Sequence, residues 1–226
     1  MRLPVTPTTT LWRELRDEVR RRYRAGRVIV AVDGLDGAGK TVFADGLADV
    51  FAEAGDAVFR AGIDGFHRPR AERYVRGRRD PEGFYRDSYD YATFRRVLID
   101  PFRDGAQTAG TTGFQLAVFD VARDAPIDSQ WVTAPRDAVL VVDGIFLHRR
   151  ELRELWDWSV WLDVPVEIAA RRLALRDGSD PDPEAPSNAR YRQGQELYLR
   201  EAHPRDAASV VVDNSDLAHP RIIGRN

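Results

Sequence analysis

Short, mostly apolar runs recur along the chain and are separated by segments whose apolar residues follow helical spacing. Runs that are rich in Val, Ile and Leu are typical of strands buried on both faces of a parallel sheet. Alternation of such strands with helices indicates an α/β fold. The predicted strands lie at residues 28–32, 57–61, 138–143, 159–164 and 208–213. The pattern predicts a single domain over residues 1–226, with a doubly wound parallel sheet and helices on both of its faces.

The segment before the first strand combines a polar tail with an amphipathic helix. Residues 1–10 are rich in Pro and Thr, and we expect them to be frayed. From Leu11 onward the apolar residues follow a helical stripe that ends at Gly26, which predicts a surface helix packed on the core. The N-terminal tail and helix therefore occupy residues 1–26.

Three segments predict structure outside the simple alternation. Residues 80–83 indicate a turn, after which a helix begins through Ser88 or Asp90. Residues 110–132 alternate apolar and polar positions around a turn near residues 124–126, which predicts a β-hairpin insertion that could cover a substrate. Two helices joined by the Pro- and Gly-containing residues 177–189 favour a helical lid at about residues 171–200. An ordinary amphipathic pair of helices is the alternative reading of this last segment.

The amino-acid composition limits which kinds of molecule we expect the protein to bind. The formal charge is −2, so no global field draws the protein to nucleic acid or to an acidic membrane. The absence of cysteine excludes disulfides and thiolate sites and favours a reducing compartment. The N-terminus lacks an apolar signal core, and no apolar run reaches membrane-spanning length. We therefore expect a cytoplasmic protein without nucleic-acid or membrane partners; a homo-oligomer is left open.

Residues 34–41 carry the most specific motif in the chain. They read Gly-Leu-Asp-Gly-Ala-Gly-Lys-Thr and match G-x-x-x-x-G-K-[ST] at every fixed position. The motif lies between the first predicted strand and a helical stripe, as a phosphate loop requires. A strand-to-helix turn with chance glycines is the alternative, and it leaves the full match unexplained. The residues expected around the phosphates are Gly34, Asp36, Gly37, Ala38, Gly39, Lys40 and Thr41.

Lys40 is the only lysine in the chain, and every other residue of the Lys and Arg total is arginine. Arginine provides charge and carboxylate pairing, but its planar fork does not replace a compact ammonium among phosphate oxygens. The single lysine at this position therefore supports a chemical requirement, although a compositional bias against lysine explains its absence elsewhere equally well.

Two predicted strands lead to a carboxylate. Asp64 lies shortly after the strand at residues 57–61, and Asp143 ends the strand at residues 138–143. Carboxyl ends of parallel strands meet at the edge of the sheet where ligands bind in α/β folds. Asp64 is our leading catalytic candidate. Asp143 and Thr41 are the candidate Mg²⁺ ligands. A simple Asp-Gly turn is the alternative for each aspartate. Gly144 follows Asp143 where many ATP-hydrolysing machines carry glutamate, which favours transfer to a bound hydroxyl.

Arginines mark two further segments. Arg172 and Arg176 lie four residues apart and share one face of the first lid helix. Residues 68–79 contain six arginines in a poorly periodic loop. Such a loop is either functional or a solvated charged surface.

The order of these motifs resembles the uridine kinase and phosphoribulokinase family of P-loop kinases, over about residues 27–215. The resemblance implies ATP-dependent phosphorylation of a primary hydroxyl of a small molecule, with Mg²⁺. It implies that Asp64 is the general base and that Lys40 and Thr41 bind phosphate and Mg²⁺. It also implies that Asp143 lies beside Mg²⁺ and that Arg172 and Arg176 stabilise the transferring phosphoryl group. The acceptor-binding residues that it implies are Asp64, Phe66, His67, Phe84, Phe119 and Asp120.

The chain departs from the family pattern where a pyrimidine would bind. His67 stands where uridine kinases usually have tyrosine, and Asp143 stands where they have glutamate. Residues 79–84 and 119–124 lack or alter the histidine and the two aromatic contacts expected around the base. Kinase activity is thus better supported than specificity for uridine.

We therefore predict an ATP-dependent kinase of a small-molecule hydroxyl, with a nucleoside as the first choice of acceptor. Another sugar-like or vitamin-like alcohol is the alternative, including an anionic one bound by the arginine-rich loop. A non-catalytic nucleotide sensor is the second alternative. A GTPase switch is excluded, because its Asn-Lys-x-Asp motif needs a lysine beyond Lys40.

Overall fold

A central sheet of six strands organises the computed structural model, which describes residues 2–107 and 112–226. In chain order the strands are β1 (Arg27–Gly34), β2 (Val58–Gly62), β3 (Phe119–Asp120), β4 (Ala125–Pro126), β5 (Ala138–Gly144), β6 (Trp158–Asp163), β7 (Val210–Asp213) and β8 (Arg221–Arg225). The α-helices are α1 (Pro7–Arg22), α2 (Lys40–Glu53), α3 (Arg70–Arg73), α4 (Pro81–Asp87), α5 (Tyr91–Phe94), α6 (Asp100–Asp104), α7 (Val166–Asp177), α8 (Ala189–Ala202) and α9 (Pro204–Ala207).

The sheet has the strand order β2-β5-β1-β6-β7-β8. The first five strands in this order are parallel, which confirms the predicted doubly wound sheet. Strand β8 pairs with β7 in the antiparallel sense and was not predicted. Its residues alternate between exposed and half-buried positions, so its sequence has no continuous apolar run to mark it.

The two faces of β1 show how the helices cover the sheet. Val28, Val30 and Val32 pack in the same core as residues of α1 and α2. Ile29 and Ala31 point to the opposite core, which includes residues of the segments between β2 and β5 and of α8. All eight residues of β1 are buried, as expected for a strand covered by helices on both faces.

Helix α1 begins four residues before the predicted stripe. The Thr6 hydroxyl accepts a hydrogen bond from the backbone N–H of Thr9, and the Thr9 hydroxyl accepts one from the backbone N–H of Thr6, which makes a capping box. Pro7 occupies the first turn, where proline is tolerated. The expectation of a frayed tail is therefore wrong for residues 7–10, because capping fixes the helix start.

The segment predicted as a turn at residues 80–83 is instead the start of α4. The Asp80 side chain accepts a hydrogen bond of 2.6 Å from the backbone of Gly83 and caps the helix. Asp90 caps α5 in the same way, with 3.0 Å to the backbone of Thr93, which confirms the predicted entry at Asp90. A π-helical turn at Arg95–Ile99 joins α5 to α6.

The predicted hairpin is present as β3 and β4, each two residues long. Its turn ends at Asp124, which has a φ of +53°, so the turn lies slightly before the predicted residues 124–126. A further bridge between Phe114 and Val132 extends the pairing. Residues 110 and 111 of the predicted segment lie outside the described residues.

The predicted lid corresponds to α7, the connection at residues 178–188, and α8. Gly178 ends α7 in the left-handed conformation that terminates many helices. Within the ranges that the structure describes, no helix has the length and apolar character needed to cross a bilayer.

Candidate active site

The phosphate-loop residues connect the end of β1 to the start of α2. Gly37 and Gly39 adopt φ angles of +77° and +87°, which side chains rarely tolerate. A Cβ atom at Gly37 would lie 2.4 Å from the carbonyl oxygen of Ala169, so only glycine fits there. The loop therefore turns sharply and presents the N-terminus of α2, a position suited to binding anions.

Lys40 occupies the first residue of α2 and is half-buried. Its ammonium group donates a hydrogen bond of 2.8 Å to the carbonyl oxygen of Leu35, across the loop. This contact places the only lysine of the chain directly over the segment that would surround phosphate oxygens. The ammonium can exchange that carbonyl for a phosphate oxygen without leaving the loop.

Asp143 brings β5 into contact with the phosphate loop. Its Oδ2 accepts a hydrogen bond of 2.8 Å from the Thr41 hydroxyl, and its Oδ1 accepts one of 2.8 Å from Arg60. The hydroxyl and carboxylate oxygens are ligands that Mg²⁺ prefers, and Mg²⁺ commonly uses only one or two protein ligands beside phosphate and water. The pair therefore fits the predicted Mg²⁺ position. Clusters of three or more His, Asp or Glu suited to a metal are absent from the described residues.

Asp64 lies at the same edge of the sheet, in a 3₁₀ turn at Ile63–Phe66 that follows β2. Its side chain is 74% exposed, and its Oδ1 accepts a hydrogen bond of 3.0 Å from the Tyr89 hydroxyl. Burial and the nearby Asp64 charge raise the pKa of Tyr89 well above its usual value, so that hydroxyl stays protonated and donates. The carboxylate thus has a fixed orientation and an open face.

His67 packs beside Asp64 and is largely buried. Its ring lies 4.4 Å from that of Tyr89, and its Nδ1 is 2.9 Å from the backbone oxygen of Asp64. Burial lowers the pKa of His67, against the opposing influence of Asp64. The neutral ring therefore donates through Nδ1 to this carbonyl and supports the turn that carries Asp64.

Both lid arginines approach the phosphate loop, in different ways. Arg172 donates hydrogen bonds of 2.9 and 2.8 Å to the backbone oxygens of Asn214 and Ser215, and one of 3.5 Å to Gly37. Arg176 is exposed and pairs with Asp177 at 2.9 Å. The structure thus uses Arg172 as a bridge between α7, the phosphate loop and the end of β7, and leaves Arg176 open to the cleft.

Comparison with solved structures places this geometry among known folds. A protein from Bacillus stearothermophilus described as a possible uridine kinase aligns with a TM-score of 0.63 and 24% identity over 88% of this chain and 98% of its own. A protein from Silicibacter sp. TM1040 assigned as a fructose transport system kinase aligns with a TM-score of 0.62 and 25% identity, over 89% of this chain and 94% of its own. Phosphoribulokinase from Rhodobacter spheroides aligns with a TM-score of 0.53 and 18% identity, over 83% of this chain and 70% of its own. No family model matches the chain.

The chain has the fold of the uridine kinase- and phosphoribulokinase-like P-loop kinases. This result confirms the predicted fold class and the resemblance drawn from the motifs.

Three phenylalanines that the resemblance assigns to the acceptor site are buried and pack inside the protein. Phe66 is fully buried and packs edge-on against Phe94, so its ring supports the Asp64 turn and does not line an open cleft. Phe84 lies in the core between Phe146 and Tyr191. Phe119 is almost fully buried in the hairpin.

Asp120, the fourth of these predicted acceptor residues, forms hydrogen bonds within the protein. Its Oδ1 accepts hydrogen bonds of 2.9 and 3.1 Å from the backbone of Ala122 and Arg123, within the hairpin turn. The residues that contact the open cleft around Asp64 are therefore fewer than the resemblance implied.

The arginine-rich segment at residues 68–79 folds partly as α3, and three of its six arginines pair with acids. Arg73 lies 3.2 Å from Asp124 of the hairpin, Arg76 lies 2.9 Å from Asp87, and Arg68 lies 3.6 Å from Glu72. The segment thus links the hairpin to α4 through ion pairs.

A buried polar network behind the phosphate loop escaped the sequence analysis. Asp33, fully buried at the end of β1, accepts hydrogen bonds from the Tyr198 hydroxyl, from His148 Nδ1 at 2.8 Å and from the backbone of Gly34 at 2.7 Å. Nε2 of His148 lies 2.9 Å from Ser159 Oγ. Burial, with Asp33 as a further cause, raises the pKa of Tyr198. The protonated hydroxyl therefore ties α8 to the phosphate-loop strand.

Three further contacts that hold the phosphate loop and Asp143 in place were also not predicted from the sequence. Gln195 of α8 accepts a hydrogen bond of 2.9 Å from the backbone of Asp36, and Asn214 donates one of 2.7 Å to the backbone of Ala38. Arg60 connects Asp143 to Asp45 of α2. These partners are far apart in sequence and belong to no local motif, so no sequence signal marks them.

Proposed function

We propose that this chain is a kinase that transfers the γ-phosphoryl group of ATP to a hydroxyl group of a small molecule, with Mg²⁺. The observation that carries the proposal is the position of Asp64. Its exposed carboxylate lies at the sheet edge that also carries the phosphate loop and Asp143, and none of the described lysine or arginine side chains forms an ion pair with it.

Asp64 can act as general base in this position. The Tyr89 hydroxyl occupies one carboxylate oxygen at 3.0 Å and leaves the other free to accept the proton of an acceptor hydroxyl. The oxygen of that hydroxyl then forms a bond to the γ-phosphorus of ATP, and the bond from this phosphorus to the bridging oxygen of ADP breaks. The proton ends on Asp64 and the bonding electrons on ADP.

The other residues position and neutralise the phosphates. Backbone N–H groups at the start of α2 bind phosphate oxygens, and the Lys40 ammonium adds a full charge beside them. Arg176, which is exposed at the cleft, can approach the transferring group. Thr41 and Asp143 would hold a Mg²⁺ ion, which would supply further charge neutralisation at the phosphate oxygens.

A nucleoside is the first acceptor to test, as for a uridine kinase. Another alcohol is a second candidate, because Phe66 and Asp120, which the resemblance assigned to a nucleoside, are occupied by core packing and by a hairpin turn. A site that lacks stacking and hydrogen-bond partners for a base discriminates poorly in its favour.

ADP formation measured with ATP, Mg²⁺ and a panel of alcohols tests the proposal. The panel contains uridine, cytidine, neutral sugars, amino alcohols, glycerate and a sugar phosphate. We expect at least one member to raise ADP formation well above the rate with ATP alone. If no member does so, a nucleotide sensor without transfer activity becomes the better account.

A further inference from the structure

A cavity of about 380 Å³ lies between α7 and α8, next to the phosphate loop. Its volume is within the range of small-molecule sites in proteins, roughly 300–1,000 Å³. Its lining includes apolar side chains, among them Val166, Leu173 and Leu199, together with Leu35 and Asp36 of the phosphate loop. The loop is predicted to bind phosphate through its backbone N–H groups, so that role leaves the side chains of Leu35 and Asp36 available to a second ligand.

Asp36 is the polar group that joins the cavity to the reaction centre. Its carboxylate interacts electrostatically with Lys40 and Asp64 on the phosphate side and with Arg176 and Asp177 on the cavity side. Its backbone N–H donates to Gln195, which fixes the residue against α8. Burial is the main cause that raises the pKa of its carboxyl, ahead of the lowering by Lys40.

The Asp36 carboxylate lacks a hydrogen-bond donor among the described side chains. A half-buried carboxylate of this kind can accept a hydrogen bond from a donor group that enters the cavity. ATP phosphates are acceptors and repel a carboxylate, so they cannot supply the donor. A hydroxyl or ammonium group of the acceptor can do so, and the Asp36 carboxylate interacts electrostatically with Asp64, the proposed general base.

The charge around the cavity restricts that molecule further. Five acidic residues line it, namely Asp36, Asp177, Asp180, Glu184 and Glu196, against the two basic residues Arg176 and Arg192. An anionic acceptor would be repelled by this excess. None of the six arginines of residues 68–79 lines the cavity, and three of them, Arg68, Arg73 and Arg76, are paired with carboxylates.

We propose that this cavity is the second half of the acceptor site and that Asp36 binds a hydroxyl or ammonium group of the acceptor there. The acceptor is thus a neutral or cationic alcohol that carries a second donor group and an apolar portion against Val166, Leu173 and Leu199. The inference rests on the proposed kinase function and names the class of its substrate.

Steady-state kinetics on paired variants test the inference, with the most active alcohol of the panel and with ATP varied separately. Asp36→Ala should raise the KM for the alcohol by about 10–100-fold and the KM for ATP by a clearly smaller factor, because the loop faces phosphate with backbone N–H groups that the change keeps, whereas the acceptor loses a side-chain partner. Asp49→Ala, at an exposed position of α2, is the control. Asp36→Asn separates the donor types, since it keeps an oxygen for a hydroxyl but removes the charge that favours an ammonium.

A second pair of variants tests the cavity itself. Leu173→Trp fills it and should lower kcat/KM for the alcohol, whereas Leu175→Trp on the same helix, where Leu175 is 90% exposed, should not. Melting temperatures identify variants that fail to fold, and Leu173→Phe, a smaller enlargement that still fills part of the cavity, replaces an unfolded Leu173→Trp.

The outcomes separate the two proposals. Alcohol-dependent ADP formation that is insensitive to Asp36→Ala and to the Leu173 variants would overturn the inference and leave the kinase function standing. A preference for glycerate or a sugar phosphate over neutral and cationic alcohols would overturn it too. If no alcohol stimulates ADP formation, the kinase function fails, and the acceptor site fails with it.

Discussion

The Thr41 hydroxyl donates a hydrogen bond of 2.8 Å to Oδ2 of Asp143, which follows it by 102 positions in the chain. The contact joins the first turn of α2 to the end of β5 and aligns two oxygen ligands on one side of the phosphate loop. Arg60 bonds the other carboxylate oxygen and fixes its orientation. Few side-chain movements are then needed when Mg²⁺ and nucleotide bind.

Thr41→Ala should weaken activation by Mg²⁺. The variant loses a ligand oxygen and leaves Asp143 with one donor fewer, so kcat/KM should fall by at least about tenfold, with partial recovery at high Mg²⁺. Thr41→Ser keeps the hydroxyl and serves as the matched control. Rates measured across a Mg²⁺ titration check the prediction, and identical titration curves for all three proteins would contradict it.

Lys40 should be irreplaceable by arginine. Lys40→Ala should reduce kcat by about 10²–10³, the usual effect of losing one group that stabilises developing charge. Lys40→Arg keeps the charge but not the compact shape, and it should recover little of that loss. Turnover and thermal melting are measured on both variants. Full activity in a folded Lys40→Ala protein would show that the phosphate loop does not act as proposed.

Tyr198→Phe should destabilise the fold without touching the cleft. The change removes one hydrogen bond from the buried Asp33 carboxylate, which should lower the free energy of unfolding by about 1–3 kcal/mol. Tyr191→Phe on the same helix is the control, because that side chain is 47% exposed and should change stability by less than about 0.5 kcal/mol. Urea unfolding measures both. Equal effects of the two changes would refute a structural role for the network.

Asp213 should make stability depend on acid pH. Ser215 and Arg221 donate hydrogen bonds to its carboxylate and lower its pKa from 3.8 to about 2. A pKa lowered by folding contributes stability that is complete above the unfolded value and is lost as pH falls through the folded value. At pH 7, Asp213→Asn should therefore lower the free energy of unfolding by about 2 kcal/mol at most.

The same comparison at lower pH provides the check. The difference between Asp213→Asn and the unmodified protein should shrink as pH falls from about 4 to about 2, when measured by urea unfolding at each pH. A difference that does not vary with pH would mean that Asp213 acts through packing and not through its charge.

The sequence was sufficient to predict features whose residues are contiguous or lie next to a recognisable strand. The phosphate loop was evident because its residues are contiguous, and Asp64 and Asp143 because each follows a strand whose composition marks it. Parallel strands bring such ends to one edge, so their proximity follows from the fold class alone.

Contacts between distant segments could not be predicted in this way. The Tyr198 bond to Asp33 spans 165 positions, and the Gln195 bond to Asp36 spans 159. Tyrosine and glutamine on a helix usually face solvent or core, and nothing in their spacing indicates a partner. Phe66 was assigned to the acceptor because it lies next to Asp64 in a motif, but the 3₁₀ turn directs its ring into the core.

Transfer of labelled phosphate from [γ-³²P]ATP to the acceptor alcohol, compared between the unmodified protein and Asp64→Asn, tests the central claim most directly. Asparagine keeps the shape of the side chain and removes its basicity. The account predicts labelled alcohol phosphate from the unmodified protein, and a kcat lower by about 10²–10⁴ for Asp64→Asn with ATP affinity and melting temperature little changed. Near-normal transfer by a folded Asp64→Asn protein, or the absence of labelled alcohol with both proteins, would contradict it.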